Sequence, residues 1–109
     1  MTFTQYLLNA LRTAKWNPHQ RPIEYCALGL VGEAGEIANK VKKISRDHDG
    51  ILTDEMRDSL AGEIGDVLWY LTILSDELGL DINKIARQNI AKLASRLERG
   101  QLKGSGDNR

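Results

Sequence analysis

Apolar residues recur at helical spacing in four separate runs of this chain, and no segment alternates as a half-buried strand would. Phe3, Tyr6, Leu7, Ala10, Leu11 and Ala14 predict a first short helix that ends before Asn17-Pro18. Ile23, Cys26, Ala27, Leu30, Ala34, Ile37, Val41 and Ile44 form an unbroken stripe, so a second helix should run from about residue 23 to 44. Met56, Leu60, Ile64, Val67, Leu71, Leu74 and Leu78 supply the third. Thr53 is its expected N-cap, with Asp54 and Glu55 in the first turn, where the helix dipole favours acids. Ile82, Ala86, Ile90, Leu93 and Leu97 carry the fourth. Gly79 suits a left-handed residue closing helix three, Leu80 a staple against Ile85, and Asp81 the next N-cap, which together predict a tight corner. Short connections between four helices argue for an all-α, antiparallel four-helix bundle, with residues 100–109, glycine-rich and polar, as a flexible tail.

A chain of 109 residues makes a single domain, 1–109, whose core is marginal unless it oligomerises. Val31, Ala38, Trp69 and Ile73 lie off the main stripes and call for more burial than one small bundle offers, so a homodimer or homotetramer is expected. One cysteine, Cys26, rules out an internal disulfide and reads as core. With no basic and apolar leader and no run of about 18 apolar residues, the expected compartment is the cytoplasm and no membrane is involved.

Within the second stripe, Leu30 to Ile37 reads LVGEAGEI, and within the third, Leu60 to Val67 reads LAGEIGDV. Each interior glycine costs a helix roughly 0.8–1 kcal/mol relative to alanine, so the repeated order of apolar residue, glycine and acid needs a reason. At about 100° per residue from Leu30, Glu33 falls near −60°, Glu36 near −120° and Lys40 near −80°, all on one flank of the apolar stripe. From Leu60, Glu63 and Asp66 fall at the same angles, with Ser59 and Tyr70 beside them. If the two helices pack as antiparallel neighbours, both acid pairs look into one space, where four like charges repel strongly unless cations neutralise them. Oxygen ligands select hard cations such as Mg²⁺ or Mn²⁺. His19 and His48 lie outside both pairs, so the Glu-x-x-His pattern of di-iron bundles is missing. Gly29, Gly32 and Gly62 border the acid flank and leave room for a ligand or a helix, while Gly35 and Gly65 suit close helix packing.

Charge is segregated along the chain. Residues 53–81 hold eight acids and one base, a net 1 − 8 = −7, and residues 84–109 hold seven bases and two acids, a net 7 − 2 = +5. On helix four, Asn89, Lys92, Arg96 and Arg99 share one flank, a ladder of donors suited to phosphate. The acidic neighbour argues against binding of duplex nucleic acid.

These residues resemble the all-α nucleoside triphosphate pyrophosphohydrolases, in particular the MazG-like group, with paired E-x-x-E and E-x-x-D motifs. Here the pairs are Glu33-Ala-Gly-Glu36 and Glu63-Ile-Gly-Asp66, followed by Asn89-x-x-Lys92, Arg96 and a GSGDNR segment. The resemblance implies Mg²⁺-dependent hydrolysis of a nucleoside triphosphate, a (d)NTP or a non-standard nucleotide, to monophosphate and pyrophosphate. It implies Glu33, Glu36, Glu63 and Asp66 as metal ligands, with Glu33 or Glu36 doubling as the base that orients water. Lys92 and Arg96 would contact phosphate, and Asn89 sugar or phosphate. Trp16 and His19 match loosely the aromatic residue and histidine that related enzymes place before helix two. The chain carries Gly32 where many members have an additional glutamate.

A single i, i+3 acid pair is most often a solvated helix flank, and a basic helix face is often merely wet. The competing reading is a catalytically silent helical interaction module on the same fold. Four converging acids favour the enzyme, since an adaptor has no physical need for them.

Overall fold

The computed structural model describes all of residues 1–109 and contains four α-helices and no strand. Helix α1 spans Phe3–Ala10 and tightens into a 3-10 turn over Leu11–Thr13; α2 spans Pro22–Asp47, α3 Asp54–Glu77 and α4 Ile82–Glu98. Each start is chemically marked. Thr2 and Gln5 form a reciprocal capping box at α1, and Pro22 occupies the first turn of α2, where its missing N–H costs nothing. Thr53 Oγ1 accepts from Met56 N at 3.2 Å, and Asp81 Oδ1 from Asn83 N at 2.9 Å, as the sequence predicts.

The α3–α4 corner is a complete Schellman motif. Gly79 sits at φ 71°, its N–H donating to Asp76 O, while Leu80 N–H reaches back to Ser75 O. Helix α2 runs a turn beyond the expected residue 44, because the polar residues after Ile44 keep helical geometry at the surface. Only the left-handed pair Asp49 (φ 52°) and Gly50 (φ 74°) turns the chain.

Helices α2 and α3 run antiparallel along most of their length. Gly29 lies against Tyr70 at one end, and Lys40 bonds Ser59 toward the other, so that residues whose numbers sum to 99 face one another. A Cβ at Gly29 would fall 2.6 Å from Cδ1 of Tyr70; the glycine makes the notch in which that ring rests. Nothing lies within 4 Å of a Cβ added at Gly35 or Gly65, so the close helix packing expected there does not occur within the chain.

The core occupies one end of this pair, where α1 crosses it. Ala10, Cys26 and Ile73 are buried among Tyr6, Leu7, Ala14, Trp16, Trp69, Tyr70 and Leu74. Trp69, expected to pack on another helix or subunit, is pinned by the turn after α1, its Nε1 donating to Thr13 Oγ1 at 2.9 Å. Helix α4 departs from the pair at the corner and is tied to α1 by Asn83 Nδ2, which donates to Thr4 Oγ1 at 3.0 Å. The radius of gyration is 17.1 Å, against about 13 Å for a compact chain of this length. Leu28 (74% exposed), Val31 (70%), Ile90 (67%) and Leu97 (65%) stand in solvent on α2 and α4. No helix is long and apolar enough to cross a membrane.

Candidate metal centre

The antiparallel register brings Glu33 of α2 opposite Glu63 and Asp66 of α3. One carboxylate oxygen from each lies within 4.8 Å of the other two. The site is therefore built by two helices and set by the Gly29–Tyr70 notch at one end and the Lys40–Ser59 bond at the other.

Crowding shows in the titration of the pair. Contact with the Glu63 carboxyl pushes Glu33 above the ordinary carboxylate range, with burial and the charges of Asp66, Glu63 and Glu36 adding to the shift. Glu63 moves the other way, because the Lys40 ammonium donates to its Oε1 at 2.6 Å. The same ammonium donates to Ser59 Oγ at 2.7 Å. One lysine thus offsets one of three converging charges. The remaining repulsion is what a divalent cation would relieve, and an all-oxygen donor set fits a hard one.

Of the four acids expected to converge, three do. Glu36 is exposed and stands outside the group whose oxygens come together. It lies about 60° further round α2 from the apolar stripe than Glu33 does, and the Lys40 ammonium already holds the carboxylate of Glu63, the residue level with it on α3. Its charge is still felt at Glu33.

Beside Glu33 runs a row of aromatic rings. Trp16 meets Tyr25 edge-on with centroids 5.2 Å apart and Trp69 at 6.4 Å, Tyr70 lies 6.1 Å from Tyr25, and Trp69 meets Tyr70 at 5.1 Å. Burial first, then the contact with Tyr25 and the Glu33 charge, push the Tyr70 phenol up. Trp16, expected at the substrate, is half-buried in this row and packs one side against the core. His19 is exposed in the preceding turn, its backbone N–H donating to Asn17 Oδ1 at 3.0 Å. The helical periodicity puts Tyr70, Ser59 and Lys40 on the acid flank without giving them a role, and no motif points to Tyr25. The available signal was their shared flank together with Gly29, one turn before Glu33.

Helix α4 places its basic residues elsewhere. No hydrogen bond or ion pair joins them to the acids of α2 and α3. Within the segment 100–109 expected to be flexible, residues 101–109 lie against α4. Lys92 Nζ donates to Asp107 Oδ1 at 3.0 Å, and Arg96 Nη2 donates to Asp107 O at 2.7 Å and to its Oδ1 at 3.3 Å. Lys92 and then Arg96 hold the Asp107 carboxyl below its ordinary value. Arg96 is 4% exposed, its stem covered by its surroundings. Asn89 lines a shallow depression of about 230 Å³ with Ile85, Gln88 and Lys92.

Comparison with known families agrees with this geometry. The model of the MazG nucleotide pyrophosphohydrolase domain matches residues 21–100, from the start of α2 to the end of α4. The chain belongs to the MazG family. All four acids, Lys40 and the basic residues of α4 lie inside the matched part of this MazG domain, whereas α1 and the folded-back segment lie outside it. The chain is also similar to the Gene 37 protein of Mycobacterium phage L5, 54% identical over 87 residues, which cover 80% of this chain and 76% of that one. No solved structure matches the MazG chain.

Proposed function

We infer that this MazG domain hydrolyses nucleoside triphosphates, (d)NTPs or non-standard nucleotides, to monophosphate and pyrophosphate, using Mg²⁺ or Mn²⁺. The observation that carries the reading is the convergence of Glu33, Glu63 and Asp66 across two helices, with Glu33 driven upward by its neighbours. Membership of a family that hydrolyses nucleoside triphosphates supports it.

Glu33, Glu63 and Asp66, whose oxygens converge, would be the ligands, and Glu36 would join them at the rim. When bound, a divalent ion would screen the phosphate charge and make a water nucleophilic near neutral pH. Glu36 or Glu33 would orient the attacking water and take its proton. Glu36 is the freer of the two, since it is outside the crowded group. The row from Trp16 to Tyr70 lies on the Glu33 side and suits the nucleoside end, and His19, in the exposed turn after Trp16, is assigned to the same end.

Asn89, Lys92 and Arg96 remain our assignments for contacts to sugar and phosphate. Within one chain α4 diverges from the acids, so these residues would serve a site on a second copy, with the phosphate taking the place of Asp107. The extended shape and the exposed apolar residues of α2 and α4 support a homodimer or homotetramer.

The test is a panel of standard and oxidised (d)NTPs with Mg²⁺, scoring pyrophosphate against orthophosphate. The reading predicts pyrophosphate with at least one member, abolished by chelation. Orthophosphate alone, or no turnover with any member, overturns it and leaves the silent interaction module.

A further inference from the structure

Adjoining the acid cluster, between the last turns of α2 and the first turns of α3, lies a recess of about 210 Å³ lined by Lys40, Lys43, Ile44, His48, Met56 and Ser59. Its floor is apolar, with Ile44 buried and Met56 half-buried. Its polar wall carries two ammonium groups, an imidazole and a hydroxyl, and no carboxylate. Asp47 feels the charges of Lys43 and His48, and Arg46 already holds it through two bonds of 2.7 Å. Neither Lys43 nor His48 forms an ion pair, and Lys40 is the cation of the recess that pairs with a carboxylate.

Lys40 belongs to both places. Its Nζ lies 2.6 Å from Glu63 Oε1 and 2.7 Å from Ser59 Oγ, and both Lys40 and Ser59 line the recess. A small polyanion lying there has its charge beside the carboxylates that would hold a divalent ion.

We propose that this recess binds the diphosphate end of the substrate and retains it as the pyrophosphate leaving group. This rests on the hydrolase reading for the direction in which the triphosphate lies. Water adds to the α-phosphorus and loses its proton to the base at the cluster. The bond from that phosphorus to the bridging oxygen breaks, and its electron pair leaves on pyrophosphate. Lys43 and His48 meet that growing charge from the recess, and Ser59 donates a hydroxyl. Lys40 pairs with Glu63 in the isolated chain. Once the cluster carboxylates are neutralised by a divalent ion, its ammonium is free to pair with a phosphate oxygen instead. Lys92 and Arg96, held by Asp107, are not needed for this contact.

The test uses Lys43, which is exposed and touches no acid of the cluster, so that its removal leaves the fold and the carboxylates intact. Calorimetry with inorganic pyrophosphate and with a nucleoside monophosphate, each in Mg²⁺, compares the full chain with Lys43→Gln, Lys43→Arg and His48→Gln. We expect pyrophosphate to bind about tenfold more weakly to Lys43→Gln, with recovery in Lys43→Arg and a smaller loss in His48→Gln, while monophosphate binding is unchanged. If turnover is measurable, pyrophosphate also becomes a weaker product inhibitor. Equal pyrophosphate binding by the parent and Lys43→Gln, or equal loss for both ligands, overturns the proposal. A chain that binds pyrophosphate through Lys43 but hydrolyses no triphosphate keeps the recess and discards the hydrolase reading. Turnover with pyrophosphate binding indifferent to Lys43 does the reverse.

Discussion

Glu33, Glu63 and Asp66 between α2 and α3, and Lys92 and Arg96 on α4, are both gatherings of like charge, yet the chain treats them differently. On α4 the cations have an internal counterion, Asp107, which lies within 3.3 Å of both side chains. Between α2 and α3 a single ammonium faces three carboxylates, and the excess appears as an upward shift of Glu33. The basic gathering is left with one uncompensated charge, 2 − 1 = +1, and the acidic one with two, 1 − 3 = −2. A folded chain that retains unrelieved repulsion in a partly buried seam gives up stability there, and the natural use for such a seam is a cation that arrives from outside.

The strongest way to break this comparison is Glu63→Gln. It removes a proposed ligand and the anchor of Lys40 together, and should lower both Mg²⁺ affinity and pyrophosphate release by at least about 100-fold, read by calorimetry and a phosphate-coupled assay. If affinity holds, the acid cluster is not the metal site.

The next test concerns what holds the seam in register. Gly29→Ala and Gly32→Ala are the same change in the same helix, three residues apart. At Gly29 the new methyl must displace the Tyr70 ring, whereas at Gly32 it meets nothing within 4 Å. Thermal melts should show Gly29→Ala destabilised by about 1–2 kcal/mol and Gly32→Ala stabilised by about 0.8–1 kcal/mol.

Glu33→Gln sharpens the contrast between the two gatherings. Glu33 titrates above its ordinary value of 4.5, so the native chain holds its proton more tightly than the unfolded chain does. The stability linked to that proton is complete below the unfolded value and is lost as pH rises through the folded one. At neutral pH the amide should therefore raise the melting temperature of the metal-free chain while weakening Mg²⁺ binding. A fall in both would mean that Glu33 is held by favourable contacts and is not crowded.

The smallest effect belongs to Asp107→Asn. The Asp107 carboxyl titrates below its ordinary value of 3.8, so what it adds to docking is present above that value and disappears as pH falls through the folded one. Proteolysis of residues 101–109 should quicken in the variant, and in the parent only at acid pH, with the melting temperature nearly unchanged because the carboxylate is exposed. Equal cleavage rates would show that the segment is held by something other than this ion pair.

Much of this was legible beforehand at the level of helices, because caps and stops are local. Thr53 and Asp81 as N-caps and Gly79 as a left-handed stop each depend on a few neighbouring atoms, and each formed as expected. The end of α2 lies a turn beyond the last apolar residue of its stripe, because exposed polar residues carry no periodic signal. Convergence of Glu33 with Glu63 and Asp66 was legible too, since a duplicated pattern on two antiparallel helices imposes it. The outward position of Glu36, the double role of Lys40 and the capture of Lys92 and Arg96 by Asp107 were not. Each depends on which of several long, flexible side chains wins a shared partner.

By itself, then, the order of residues determined four amphipathic helices, their boundaries to within a turn, and a common flank for the acids, because period and capping chemistry act over a few residues. The tertiary structure decided the register of α2 on α3, through the fit of Tyr70 over Gly29, and with it which three carboxylates meet. It also decided that α4 turns away from them. Such choices are made between surfaces distant in sequence, where shape and competing charge settle the outcome and local pattern carries no information.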